Sequence, residues 1–121
     1  MKRLLPLAVL LAAPALSQPA NNPMAMATGA HLQAMCSRQE DRASRIVCLS
    51  WLNGASQGHG WFEPKDPAQT PAFCPPSRDY DLAAYRGIIL AWLNKHPDDL
   101  PSPAISVYSR ALAAAYPCRK R

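Results

Sequence analysis

The stretch "FCPPSRDYDLAAYRGIILAWLNKHPDDLPSPAISVYSRALAAAYPC", Phe73 to Cys118, carries two helical patterns between two cysteines. Ser77 reads as an N-cap, with Asp79 and Asp81 in the first turn, where the helix dipole favours acids. Leu82, Tyr85, Ile89, Trp92 and Leu93 then recur at helical spacing. This helix must stop near Asn94 or Lys95, because Pro97 disfavours helical geometry at His96. A second helix follows, with Ser102 as cap and Pro103 at its first position. Ala104, Tyr108, Ala111, Leu112 and Ala115 line one side of it, and Pro117 ends it. The short connection from His96 to Ser102 predicts an antiparallel hairpin.

The meaning of the flanking cysteines depends on the compartment. Lys2 and Arg3 precede an apolar run from Leu4 to Leu16, and Ala15-Leu16-Ser17 has the small-x-small form of a cleavage site. This is the pattern of a secretory signal peptide over residues 1–17, too short for a membrane anchor. No lipobox cysteine follows it. Pro6 and Pro14 inside the run argue against a buried N-terminal helix. In an oxidising compartment the four cysteines Cys36, Cys48, Cys74 and Cys118 imply two disulfides. They lie 12, 26 and 44 residues apart, unlike the short pairs of zinc sites, and no two histidines sit at ligand spacing. No metal or other cofactor is expected.

In the hairpin the start of one helix lies beside the end of the other, which favours a Cys74–Cys118 bridge. At a rise of 1.5 Å per residue the two helices are about 27 and 21 Å long, a mismatch the Cys74-Pro75-Pro76 leader can absorb. By the same logic Cys36–Cys48 would join two earlier helices. Four cysteines allow three connectivities, and the spacing alone does not choose among them.

Upstream, residues 18–27 read as a flexible proline- and asparagine-rich lead-in before a domain over residues 28–121. Thr28 suits an N-cap for a helix over about Gly29 to Arg38, with Leu32, Met35 and Cys36 on one face. Ser37 to Arg42 is a turn or an exposed helical surface. A second helix is expected from about Ala43 to Leu52, its apolar side formed by Ile46, Val47, Leu49 or Ser50, and Trp51. Asn53-Gly54 would end it in the left-handed manner. Gly54 to Phe73, rich in glycine and proline, reads as an irregular loop that either pins Trp61 and Phe62 on the helices or presents them for recognition. The fold class is therefore all-α: about four short helices in two antiparallel hairpins, stapled by two disulfides across a thin, alanine-rich core.

Charge narrows the function. Without Lys2 and Arg3 the basic count falls from 13 to 11 against 8 acids, so +5 becomes +3, and three of those positives close the chain. No basic stripe with interleaved aromatics appears, so nucleic acid is not an expected partner. Catalysis is not expected either. The cysteines would be oxidised, and Ser50 and Ser56, though near His59, have no acid placed to orient a triad.

Phe73-Cys74-Pro75-Pro76, Trp92-Leu93, His96-Pro97, Ala104 and Ala115-Tyr116-Pro117-Cys118 together resemble the ordered pattern of the Rap/Tai family. These are small periplasmic proteins named for immunity proteins of type VI secretion systems. The segment Cys48 to Gly54 is similar to the family's Cys-x-Gly-Tyr-x-x-Gly, with Ser50-Trp51 in place of the glycine–aromatic pair. Leu32 to Cys36 resembles its leading helix and cysteine, and no Gln opens the third helix, where many members have one. The resemblance implies an exported helical domain that binds and neutralises an injected peptidoglycan amidase by plugging its active-site cleft, with homodimers common. The alternative is a small periplasmic chaperone or stress protein without a dedicated effector. His59, Trp61 and Phe62 in the glycine-rich loop, and His96 at the His-Pro corner, are the candidate contact residues.

Overall fold

Thr28 opens the first helix as its position predicts. In the computed structural model, which describes residues 26–61, 65–66, 68–77 and 79–119 (Trp61 by its backbone alone), Thr28 Oγ1 accepts from the backbone N–H of His31. The elements are α1 (Gly29–Cys36), α2 (Arg42–Trp61), α3 (Leu82–Lys95) and α4 (Ala104–Ala115), with a 3₁₀ turn at Pro97–Asp99. Among the described residues there is no strand, only an isolated bridge between Thr28 and Pro103. The expected leader over residues 1–17 and most of the lead-in lie outside the described residues, as does Phe62.

Both disulfides form as favoured, Cys36–Cys48 with Cα atoms 5.1 Å apart and Cys74–Cys118 with Cα atoms 4.9 Å apart. Beside the second, the Cys74 N–H donates to the Tyr116 carbonyl at 2.8 Å, so the start of one hairpin arm meets the end of the other twice. In the chain-entropy model, bridges closing loops of these lengths stabilise by about 3 and 4 kcal/mol.

Three helix boundaries differ from expectation. Asn53-Gly54 does not end α2; the helix continues through Gly54, Gly58 and Gly60 to Trp61, and no glycine of the chain adopts positive φ. Glycine costs a helix roughly 1 kcal/mol but does not forbid it, and tertiary contacts here outweigh that cost. The prolonged helix buries Ser56 and carries His59 onto Phe73, their rings stacked at 4.0 Å. Asp81, not Ser77, caps α3, accepting from the Ala84 N–H at 3.0 Å, while Ser77 Oγ accepts from the Asp79 N–H in the preceding turn. Pro103 occupies the cap of α4 without a side-chain bond, and the Ser102 hydroxyl donates to Asp99 instead.

The core is aromatic at its centre rather than alanine-rich. Phe73, Tyr85 and Tyr108 meet edge-to-face with centroids 5.7 to 6.3 Å apart, and Trp51 meets Tyr108 at 5.9 Å. Such pairs add roughly 0.5–1.5 kcal/mol each beyond the area they bury. Leu32, Leu52, Ile89, Leu93, Val107 and Leu112 surround them. Ala115, expected inside, is exposed, and Val107 takes an inner place. Ile46, expected on the buried side of α2, is 51% exposed, because the inner face runs through Ser44, Cys48, Leu52 and Ser56.

The start of α1 is locked to the α3–α4 connection. Gly29 N–H donates to the Ser102 carbonyl at 2.9 Å, Ala30 N–H to the Leu100 carbonyl at 2.8 Å, and Ala104 N–H to the Ala27 carbonyl at 3.0 Å. These bonds satisfy N–H groups that a helix start would otherwise leave orphaned. Gly29 is required here, since a Cβ would run into the Asp99 carbonyl. The corner from His96 to Pro103 is therefore held from two sides.

Candidate functional site

His96 caps the C-terminus of α3 and lies at that corner. Its ring stacks on Trp92 with centroids 3.8 Å apart and planes within 17°. Nδ1 lies 2.9 Å from the Trp92 carbonyl. A carbonyl only accepts, so Nδ1 carries the proton in this arrangement.

Trp92 is fixed in turn, its Nε1–H donating to Asp99 Oδ2 at 2.7 Å. Arg110 of α4 reaches the same carboxylate with Nη2 at 2.6 Å from Oδ1 and Nε at 3.3 Å from Oδ2, a two-pronged contact. Ser102 Oγ adds a bond to Oδ1 at 3.2 Å. The Trp92 hydrogen bond first, joined by Arg110 and Ser102, holds the Asp99 carboxyl below the usual carboxylate range, against an opposing effect of desolvation second only to the Trp92 bond. The consequence is a rigid aromatic corner, tied to α4 by one acid.

Behind this corner runs an open groove between α3 and α4, with a volume of about 350 Å³. Ile88, Ala91, Ala111 and Ala114 give it an apolar lining, and Lys95 and His96 bring the polar groups. Small alanines on both helices leave room for an inserted side chain, which suits the groove to receiving part of another molecule.

The two candidate histidines do not come together. His59 lies against Phe73, next to Cys74, and Phe73 meets Tyr85 in the first turn of α3; His96 closes the opposite end of the same helix. Gly58 to Trp61 is the end of α2 rather than a projecting loop, because the helix runs past its expected stop. Phe62 lies outside the described residues.

Trp92 was expected among the core positions, yet it walls the groove. Asp99 and Arg110 drew no notice because their link spans 11 residues and is made only when the hairpin closes. Ser56, one of the serines near His59, is fully buried, and its hydroxyl pairs with that of Tyr108 at 3.0 Å. All four cysteines are in disulfides. Among the described residues no group of three His, Cys, Asp or Glu side chains is arranged to hold a metal ion, and no helix is long and apolar enough to cross a membrane.

A family model described as Rap1a immunity proteins matches residues 28–118, so the chain belongs to that family. The comparison with curated proteins finds no match, and neither does the comparison with solved structures.

Proposed function

We propose that this Rap1a-family chain is a periplasmic immunity protein that binds an injected peptidoglycan-cleaving amidase and blocks its active-site cleft by shape. Membership of the family implies a cognate effector. The export pattern at the N-terminus supports the periplasm as the place of action.

The observation that carries the reading is the braced corner beside an open apolar groove. Blocking a cleft needs a projecting element that does not yield and a surface the partner can grip. The corner is fixed by the Asp99 carboxylate and by the backbone bonds of α1. The groove supplies apolar contact, and preorganisation lowers the entropic cost of association. In this reading His96 belongs to the interface, and His59, beside the far end of α3, is a separate candidate contact. No catalytic group is assigned to the chain; it acts by occupying space.

The test pairs the purified protein with a peptidoglycan amidase captured by it in a pull-down and follows release of cell-wall peptide. Stoichiometric inhibition is expected. His96→Ala and Ala114→Arg should each weaken inhibition roughly 30-fold or more, the size of a hot-spot loss, with helical circular dichroism unchanged. Capture of many unrelated denatured proteins without amidase inhibition would instead support the chaperone reading and remove this one.

A further inference from the structure

The turn between α1 and α2 gathers four arginines from three parts of the chain. Arg38 lies in the turn, Arg42 and Arg45 in the first turn of α2, and Arg86 on α3. Arg86 Nη1 donates to the Cys36 carbonyl at 3.0 Å, and Arg45 Nη1 to the Gln39 carbonyl at 2.8 Å. Gln39 Nε2 donates to the same Cys36 carbonyl at 3.2 Å, so these guanidiniums converge on one short stretch of backbone. Carbonyl partners fix their positions without cancelling their charge.

The acids nearby, Glu40 and Asp41, leave the arginines in excess. Asp41 is engaged as the cap of α2, accepting from the Ser44 N–H at 2.8 Å. Its carboxyl is held below its ordinary value first by the Ser44 bonds and then, against desolvation, by the charges of Arg38 and Arg45. Among the described residues the close ion pair is Arg110–Asp99; none of these four arginines is closed into such a pair, although Arg38 and Arg45 share the field of the Asp41 carboxylate.

Beside Arg42 and Arg45 on α2 stands Ile46, 51% exposed. It lies one turn after Arg42 and next to Arg45, on the side of α2 away from Cys48 and Leu52. Neither the α3/α4 groove nor the depression lined by Pro75, Asp79 and Tyr116 reaches this face.

We infer that the α1–α2 end, through Arg38, Arg42, Arg45, Arg86 and the exposed Ile46, docks peripherally on an anionic phospholipid surface. A helix end with an excess of positive charge and one exposed apolar side chain matches an anionic bilayer in charge and polarity. A fluid bilayer needs no shape match, and its anionic headgroups gather around guanidiniums. Ile46 would enter the headgroup boundary as interfacial helices insert their apolar side chains. This is a surface contact rather than an anchor, and it leaves the α3–α4 corner at the other end of the fold available. It stands independently of the proposed effector.

The experiment uses the oxidised protein beginning at Gln18, so that the apolar run Leu4 to Leu16 is not present to bind lipid. Flotation is measured with phosphatidylglycerol–phosphatidylcholine vesicles and with pure phosphatidylcholine vesicles. Co-flotation with the anionic vesicles alone is expected, and it should vanish at about 1 M salt, where screening acts within about 3 Å. Arg38→Gln with Arg42→Gln, at exposed side chains, should lower partitioning roughly 20- to 30-fold. Ile46→Ser should lower it several-fold and leave the salt dependence unchanged. Neutralising Arg119, Lys120 and Arg121 to Gln should change it less than twofold. Equal binding to both vesicle types, binding to neither, or a loss seen only in the tail variant would overturn the inference. Absence of lipid binding would leave an acidic protein surface as the partner for this face.

Discussion

Tyr85 and Tyr108 sit in contact in the same core, yet their hydroxyls meet different fates. Tyr108 Oη pairs with Ser56 Oγ at 3.0 Å, whereas Tyr85 Oη is buried with no hydrogen-bond partner among the described residues. An unsatisfied buried hydroxyl costs its desolvation, while a satisfied one contributes only modestly. Tyr85→Phe should therefore leave stability within about 0.5 kcal/mol of the parent or raise it. Ser56→Ala should cost about 1–3 kcal/mol by stranding the Tyr108 hydroxyl. Adding Tyr108→Phe to Ser56→Ala should recover most of that loss. Urea denaturation of the three variants checks all three expectations, and a double variant as weak as the single would show that the bond is not what matters.

Among the elements, α2 shows how packing overrides local preference. Gly54 and Gly58 lie within a helix of 20 residues, and a Cβ built at either meets nothing within 4 Å. Each glycine is thus a helix-weakening residue without a steric reason to be there. Gly54→Ala should stabilise the protein by about 1 kcal/mol, read as a rise in thermal midpoint. A fall would mean that the last two turns of α2 are not helical in solution. Gly29 is the counter-example, since the Asp99 carbonyl occupies the space a side chain would need.

For the molecule as a whole, the aromatic centre joins both disulfide-tied halves, so its ionisation bears on global stability. Burial, and then the neighbouring tyrosines Tyr108, Tyr116 and Tyr80, push Tyr85 up to about 12. Tyr108 is also raised by burial, with its Ser56 bond acting the other way. A group whose folded value lies above its unfolded value gives stability that is complete below the unfolded value. That stability is lost as pH rises through the folded value. The protein should accordingly hold its thermal midpoint up to about pH 10, the ordinary tyrosine value, and lose it steeply between there and about pH 12. Tyr85→Phe should flatten that alkaline limb; an unchanged limb would place the alkaline weakness elsewhere.

The sequence by itself determined the helical class, the order of the helices, the cap at Thr28 and the end of α3 before Pro97, and it favoured one pairing of the cysteines among three. Each of these follows from local chemistry or from the geometry of a short hairpin: apolar spacing, a proline that cannot continue a helix, and ends that must meet. His96 was legible as a candidate because the His-Pro dipeptide marks a corner. The tertiary structure alone decided the rest. That α2 passes its glycines was settled by burial of Ser56 and by the His59–Phe73 stack, contacts invisible to a window of neighbouring residues. Trp92 became a groove wall because Asp99 and Arg110 reach it across the hairpin. Arg86 joined Arg38 and Arg45 only because α3 crosses the α1–α2 turn, 50 residues from the carbonyl it binds. Local pattern sets which segments coil, while charge and contact between distant segments depend on how the coils lie together.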